Sequence, residues 1–217
     1  WTFPEKYRAR REVMRGFSPH VFFSYCASLQ ALEMAGLTPD DLASEAAGIY
    51  TASSGSSLIT HQQIARIETL GPMRNHPLGV VQGAVGTVTF NLAAAFRVKG
   101  ESCGFASACA SSGHALGYAY DALRLGRQDR ILVVGAEDGD PCQVLTFAAM
   151  RALTPSQDPD HASRPFDVKR DGFVGTGGAT ALILETEESL QARGVTPLAE
   201  IIGWGQASDG YNVAQSH

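Results

Sequence analysis

Residues 101–137 read ESCGFASACASSGHALGYAYDALRLGRQDRILVVGAE and hold an extended segment, a helix and an apolar run in direct succession. The small residues of 101–108 predict a strand, residues 110–125 predict a helix, and residues 130–137 predict a second strand that contains the unbroken apolar run Ile131–Val134. Strands buried on both faces carry such runs, and their alternation with helices is typical of layered α/β proteins. We therefore expect an α/β fold.

The rest of the chain continues this alternation. Ser18-Pro19 predicts the start of a helix and Gly36 its end. The other predicted elements are a strand at 47–52, helices near 60–70, 78–98 and 144–150, strands around 172–186, a helix at 187–193 and a strand at 198–208.

Composition excludes several classes of protein. The chain has 217 residues, of which 44% are hydrophobic, so it can bury a substantial core. A net charge of −5 gives no basic field, and a nucleic-acid partner is not expected. No apolar run approaches the roughly 18 residues of a membrane span, so no membrane association is expected. The four cysteines lack metal-type Cys-x-x-Cys spacing and are sparse for a disulfide scaffold, which favours the cytoplasm.

Cys109 is the candidate nucleophile. It lies where the small-residue strand gives way to the helix, and the N-terminal end of a helix favours thiolate over thiol. The competing interpretation is a small buried hydrophobic residue. His114 is five residues further on, which places the two side chains about 140° apart around a helix of 3.6 residues per turn. We therefore interpret His114 as a packed structural residue.

Ordered blocks of sequence resemble the β-ketoacyl-[acyl-carrier-protein] synthases. The nucleophile region Ser107–His114 (SACASSGH) is followed by Ile131–Glu137 (ILVVGAE), Arg151–Thr154 (RALT), Ala162–Asp167 (ASRPFD) and Arg170–Gly178 (RDGFVGTGG), in the order of those enzymes. The resemblance implies the thiolase-like fold, in which two βαβαβαββ halves stack as α-β-α-β-α layers. This chain would cover most of the first half, as an incomplete N-terminal ketosynthase domain at 1–217 that begins without an initiator Met.

The resemblance implies an activity as well. Cys109 would accept an acyl chain, and malonyl-acyl carrier protein would lose CO₂ and attack that chain to give a β-ketoacyl product in fatty acid biosynthesis. The two histidines and the lysine that complete such sites belong to the second half and are not found in 1–217. No metal or other cofactor is implied, because the acyl carrier protein brings the phosphopantetheine.

The same resemblance implies a pocket, a docking surface and an assembly. Phe147 matches an aromatic residue that lines the acyl pocket, although a phenylalanine on an Ala-rich helix is commonly plain core. Arg10, Arg11 and Arg15 lie in a basic segment that either docks the acidic carrier protein or is a solvated face. A homodimer is implied, joined through the strand 102–108. The remainder of the polypeptide would be a further partner.

Other residues have structural interpretations. Glu137 is expected to be a buried, hydrogen-bonded carboxylate, and Asp167, Arg170 and Asp171 to form structural pairs. The glycines of 172–178 match no nucleotide-binding motif and are expected to allow close backbone packing. A surface location is expected for the remaining histidines, which are His20, His61, His76, His161 and His217.

Three alternatives remain open at this point. A thiolase shares the fold and the cysteine. A test of acetyl-CoA against malonyl-carrier protein as substrate would distinguish a thiolase from a ketosynthase. A polyketide-type ketosynthase differs in pocket details that the sequence does not expose. A non-catalytic, chain-length-setting subunit typically lacks the cysteine, so Cys109 counts against it.

Overall fold

The computed structural model describes residues 4–212, which form a four-stranded sheet with helices on both faces. Along the chain the strands are β1 (Ala47–Ala52), β2 (Ser102–Phe105), β3 (Arg130–Glu137) and β4 (Gly178–Glu185). Their order across the sheet is β2-β1-β3-β4. Strand β1 pairs in parallel with β2 and β3, whereas β4 is antiparallel to β3. The predicted α/β fold class is confirmed.

The helices among the described residues alternate with these strands. They are α1 (Arg11–Met14), α2 (Pro19–Met34), α3 (Ser57–Leu70), α4 (Gly79–Gly83), α5 (Thr87–Phe96), α6 (Ser111–Arg124), α7 (Pro141–Val144) and α8 (Glu187–Arg193). Short 3-10 turns lie at Glu5–Tyr7, Pro39–Leu42, Pro72–Arg74 and Leu145–Ala148.

Two buried clusters lie on the two faces of the sheet. On one face, α2 and α5 pack large side chains such as Leu32 and Phe96 against Ile49 and Leu132 of the strands. On the other face, α6 packs the buried alanines 115, 119 and 122 against neighbouring strand residues, including Tyr50 and Ile131. Successive strand residues therefore point to opposite clusters, as the period of two in a strand requires.

The prediction of one continuous helix at 78–98 is wrong, because the chain forms two helices there, α4 and α5, with a break between them. The break lets α4 approach the start of α3 closely. The Gly83 carbonyl accepts a hydrogen bond from the Ser56 N–H at 3.1 Å, and a Cβ on Gly83 would lie 2.6 Å from the Thr60 hydroxyl.

Four other predicted elements differ from those in the structure. The strand at 101–108 is only Ser102–Phe105, the strands at 172–186 reduce to β4, and the helix near 144–150 becomes α7 followed by a 3-10 turn. Residues 198–208 form no strand. A strand needs a neighbour to pair with, and residues 4–212 supply none beside this segment.

The predicted surface location of His20 is wrong, since its side chain is 0% exposed. It lies in the first turn of α2, with the Ser18 hydroxyl 3.3 Å from Nδ1 and the Asp138 carboxylate 3.8 Å from the same nitrogen. Burial lowers the pKa of His20, and Asp138 and Glu137 oppose that effect. His61, His76 and His161 are exposed as predicted, and His217 lies outside the described residues.

Candidate active site

Cys109 lies in the turn between the end of β2 and the start of α6, and its side chain is exposed. The residue before it, Ala108, has a φ of 50°, a left-handed conformation that costs free energy for any residue with a Cβ. Ala110 is the N-cap of α6, so the thiol sits one residue before the helix boundary. The strand-to-helix position predicted for Cys109 is therefore observed.

Hydrogen bonds from the first turn of α6 hold this conformation. The Ser111 hydroxyl accepts from the Ser107 N–H and donates to the Ala108 carbonyl, both at 2.7 Å. The Ser107 hydroxyl in turn lies 2.6 Å from Nδ1 of His114. His114 thus supports the turn, in agreement with its structural interpretation.

The backbone N–H groups of the turn differ in whether they donate a hydrogen bond. Ala110 and Ser111 donate to the carbonyls of Ser107 and Ala108 at 3.2 and 3.1 Å. The N–H of Cys109 has no acceptor within the described part of the chain. It is available to an oxygen atom that develops negative charge beside the thiol.

Two neighbouring loops share this edge of the sheet, because the carboxyl ends of the parallel strands β2, β1 and β3 point the same way. The loop after β1 presents Ser54, whose N–H and hydroxyl donate to the Glu137 carboxylate at 3.2 and 2.7 Å. Gln143 of α7 donates to the same carboxylate at 3.0 Å. Glu137 is hydrogen-bonded as predicted, but the prediction that it is buried is wrong, since it is exposed at the end of β3.

Sequence analysis missed the cluster of Ser54, Glu137 and Gln143. The serine-rich run at 53–57 was the only signal, and nothing in it identifies a partner 83 residues away. Beside Glu137 runs an open groove of 660 Å³, lined also by Ser112 and Gly113 from the first turn of α6.

Phe147 lies in the 3-10 turn after α7 and is 40% exposed. Its ring packs edge to face against Phe173 with the centroids 5.3 Å apart. It does not line the groove beside Glu137. Its predicted role in an acyl pocket stays a prediction.

The basic segment divides into paired and unpaired side chains. Lys6 pairs with Glu33 at 3.5 Å and Arg8 with Glu5 at 3.2 Å. The predicted docking residues are Arg10, Arg11 and Arg15. Their guanidinium groups have no ion-pair partner among residues 4–212, and all three side chains are exposed.

The remaining motifs make local contacts. Arg170 donates to the backbone carbonyl of Asp167 at 3.0 Å, and no ion pair between their side chains forms. Asp171 accepts from the Thr154 hydroxyl at 2.7 Å and lies 3.8 Å from Arg164. Asp167 accepts from the backbone N–H of Lys169 at 2.7 Å. Gly172 has a φ of 145° and lies so close to the backbone of residues 153 and 154 that a Cβ would overlap it, as expected of close backbone packing.

Within residues 4–212 no group of His, Cys, Asp and Glu side chains is arranged to hold a metal ion. Over the same residues, no helix combines the length and the apolar composition that crossing a membrane requires.

The layered α/β sheet superposes on ketosynthases of known structure, which places the fold in the thiolase-like class. The family model described as "Beta-ketoacyl synthase, N-terminal domain" matches residues 8–189. The chain belongs to the β-ketoacyl synthase family.

Related sequences and solved structures support the same family assignment. The 3-oxoacyl-[acyl-carrier-protein] synthase 1 of Haemophilus influenzae is 33% identical over 94% of this chain and 51% of its own length. A β-ketoacyl synthase from Burkholderia phymatum superposes with a TM-score of 0.86 at 32% identity, over 99% of this chain and 53% of the other. A type II polyketide ketosynthase, solved with its acyl-carrier protein, superposes with a TM-score of 0.74 at 25% identity, over 82% of this chain and 46% of the other. The chain spans about half the length of these proteins.

Proposed function

We propose that the protein catalyses decarboxylative Claisen condensation, with Cys109 as the residue that carries the acyl chain. The observation that supports this most is the exposed thiol between the strained Ala108 and the N-cap of α6. The names of the curated relatives, which are 3-oxoacyl-[acyl-carrier-protein] synthases, support the same reaction.

The reaction divides into two displacements at Cys109. The thiolate attacks the thioester carbonyl of an acyl-carrier protein, and the phosphopantetheine thiol leaves. Malonyl-carrier protein then loses CO₂, and the resulting carbanion attacks the Cys109 thioester, which releases the β-ketoacyl product and regenerates the thiolate. In both steps the free N–H of Cys109 stabilises the oxyanion.

The groups that assist decarboxylation are expected outside 1–217, as the resemblance implies. His114 is interpreted as a structural residue, because its Nδ1 contacts the Ser107 hydroxyl within the turn. Phosphopantetheine would arrive on the carrier protein, so the reaction needs no further cofactor.

The guanidinium groups of Arg10, Arg11 and Arg15, which have no ion-pair partner among residues 4–212, support docking of an acidic carrier protein. Charge reversal at Arg15 is expected to weaken carrier-dependent activity in a salt-sensitive way and to spare alkylation of Cys109 by a small reagent. Arg8, which already pairs with Glu5, is the matched control. Equal effects at Arg8 and Arg15 would favour a solvated face.

The outer edge of β2 supports a homodimer. This strand is first in the order of the sheet, and three of its four residues are exposed. An unpaired edge of this kind is an aggregation hazard that a second copy covers, and two-fold dimers are the commonest soluble oligomers. Sedimentation of the full-length protein at micromolar concentration tests this, and an active monomer would contradict it.

Peptide mapping tests the role of Cys109. After incubation of the full-length protein with an acyl-carrier thioester or cerulenin, the adduct is expected on the peptide that contains Cys109. Cys103→Ser and Cys142→Ser are matched controls, because both thiols are also exposed. Labelling that persists in Cys109→Ser would overturn the assignment.

A polyketide-type ketosynthase is the second candidate, favoured by the superposition on the type II enzyme with its acyl-carrier protein. Turnover of β-ketoacyl primers in preference to saturated ones would select it. Condensation of acetyl-CoA without a malonyl donor would indicate a thiolase, and failure to acylate Cys109 would indicate a non-catalytic subunit.

A further inference from the structure

Residues 201–206 contact α6 through three side chains. The indole N–H of Trp204 donates to the Asp121 carboxylate at 3.0 Å. The Gln206 amide donates to the Tyr118 hydroxyl at 2.8 Å. Ile201 packs against the buried cluster beneath α6. No strand pairing of this segment exists within the described residues, so these contacts set where it lies.

Trp204 lies directly over the backbone of Gly117. A Cβ at that position would overlap the six-membered part of the indole, so the two surfaces fit only because residue 117 is glycine. The Tyr118 ring meets the indole edge to face, with the centroids 5.1 Å apart. The indole is thus fixed by a backbone surface, a neighbouring ring and a hydrogen-bond acceptor, all of which belong to α6.

These contacts place α6 between the sheet and the Trp204 side chain. Its buried alanines 115, 119 and 122 pack against the sheet, and Trp204 packs against Gly117. The same helix begins two residues after Cys109. Gly117 is eight residues beyond Cys109, or about 12 Å along a helix that rises 1.5 Å per residue.

We propose that Trp204 is a positioning residue for the nucleophile, which it fixes through helix α6. The indole holds the face of α6 that lies opposite the sheet. Cys109 precedes the N-cap of this helix by one residue, so the position of α6 sets the position of the thiol and the N–H of Cys109. Displacement of a reacting group by 1 Å costs roughly 100-fold in rate. The inference rests on the proposed acylation of Cys109 and adds a residue 95 positions away.

The test is single-turnover acylation of Cys109 in the full-length protein, followed by intact mass over a range of acyl-carrier thioester concentrations. Trp204→Ala is expected to lower the maximal acylation rate about tenfold and to leave the half-saturating concentration unchanged. Trp204→Phe retains a ring over Gly117 and is expected to recover most of the rate. Asp121→Ala keeps the ring but removes the acceptor, and an intermediate rate is expected.

A matched control separates positioning from general destabilisation. Tyr25 stacks on Phe96 on the opposite face of the sheet, with the centroids 5.3 Å apart. Tyr25→Ala is expected to lower the melting temperature and to leave the acylation rate at 25 °C unchanged. If Trp204→Ala does not fold, Trp204→Phe and Asp121→Ala decide the question on their own.

The outcomes are distinguishable. Slower acylation in the Trp204 and Asp121 variants but not in Tyr25→Ala supports positioning. Wild-type rates in all folded Trp204 and Asp121 variants overturn it, as do losses equal to that of Tyr25→Ala. A wild-type protein that is never acylated at Cys109 overturns the proposed function instead.

Discussion

The two faces of the sheet are packed with side chains of different size. Beneath α2 and α5 the cluster contains Phe17, Phe96, Leu32 and Leu92, whereas the fully buried hydrophobic residues of α6 are alanines, with Leu116 and Leu123 only partly buried beside them. Large side chains bury much apolar area and fill space, and small ones bring a helix close to the strands. We therefore expect the α2 face to supply more of the stability, and the α6 face to set the position of the helix that follows Cys109.

The largest effect is expected on the α2 face. Phe96 is fully buried and stacks on Tyr25, so Phe96→Ala should lower the free energy of unfolding by about 3–5 kcal/mol. Urea denaturation measures the change. Phe90→Ala, in the same helix but exposed, is the control. Below the unfolding transition, the rate of Cys109 alkylation should stay at the wild-type value. A large fall in that rate would show that the two faces are not independent.

An intermediate effect is expected on the α6 face. Ala119 is fully buried against the sheet, and Ala119→Leu should cost about 1–3 kcal/mol through overpacking. Because the added side chain lifts α6 from the strands, acylation of Cys109 should slow more than the lost stability accounts for. Arg124→Leu, on the exposed part of the same helix, should change neither quantity. Normal acylation in a destabilised Ala119→Leu protein would contradict the division of roles.

The smallest effect is expected from titration of His20. Burial holds its pKa below the ordinary value of 6.5, so the unfolded chain binds a proton more readily than the folded one does. Above pH 6.5 the group has no effect on stability. As the pH falls from 6.5 through the folded pKa, the free energy of unfolding should decrease.

Urea midpoints between pH 5 and pH 8 measure this slope. His20→Gln should flatten it, and His61→Gln should not, because His61 is exposed. The charged groups that act on His20 are Asp138 and Glu137, both at the end of β3. Stability that rises as the pH falls would mean that these carboxylates outweigh burial.

Periodicity and turn-forming residues predicted most of the sheet and the strand-to-helix turn that holds Cys109. The strand-helix-strand order of 101–137 and the helix start after Cys109 follow from a small-residue strand, a helical segment and an apolar run, which are local signals. The bounds of β1 and β3 are those predicted, and polar residues flank β3 at both ends. Ala108 is different, since nothing in the sequence marks an alanine that adopts a left-handed conformation.

The errors concern long-range contacts. His20 is buried, and the Asp138 carboxylate, 118 residues away, lies beside it at the first turn of α2. Glu137 is exposed, although Ser54 and Gln143 donate hydrogen bonds to its carboxylate. The helix at 78–98 breaks so that Gly83 can contact the start of α3. Residues 198–208 have the composition of a strand, but pairing with a neighbour is a property of the whole fold.

The conformation of Gly172 limits the mutations that its codon tolerates. Its φ of 145° and its closeness to the backbone of residues 153 and 154 leave room for a hydrogen atom alone. Every missense change that a single nucleotide can make in a glycine codon adds a Cβ. No amino-acid replacement at this codon is therefore conservative, and we expect random mutagenesis libraries selected for folded protein to retain only synonymous changes there.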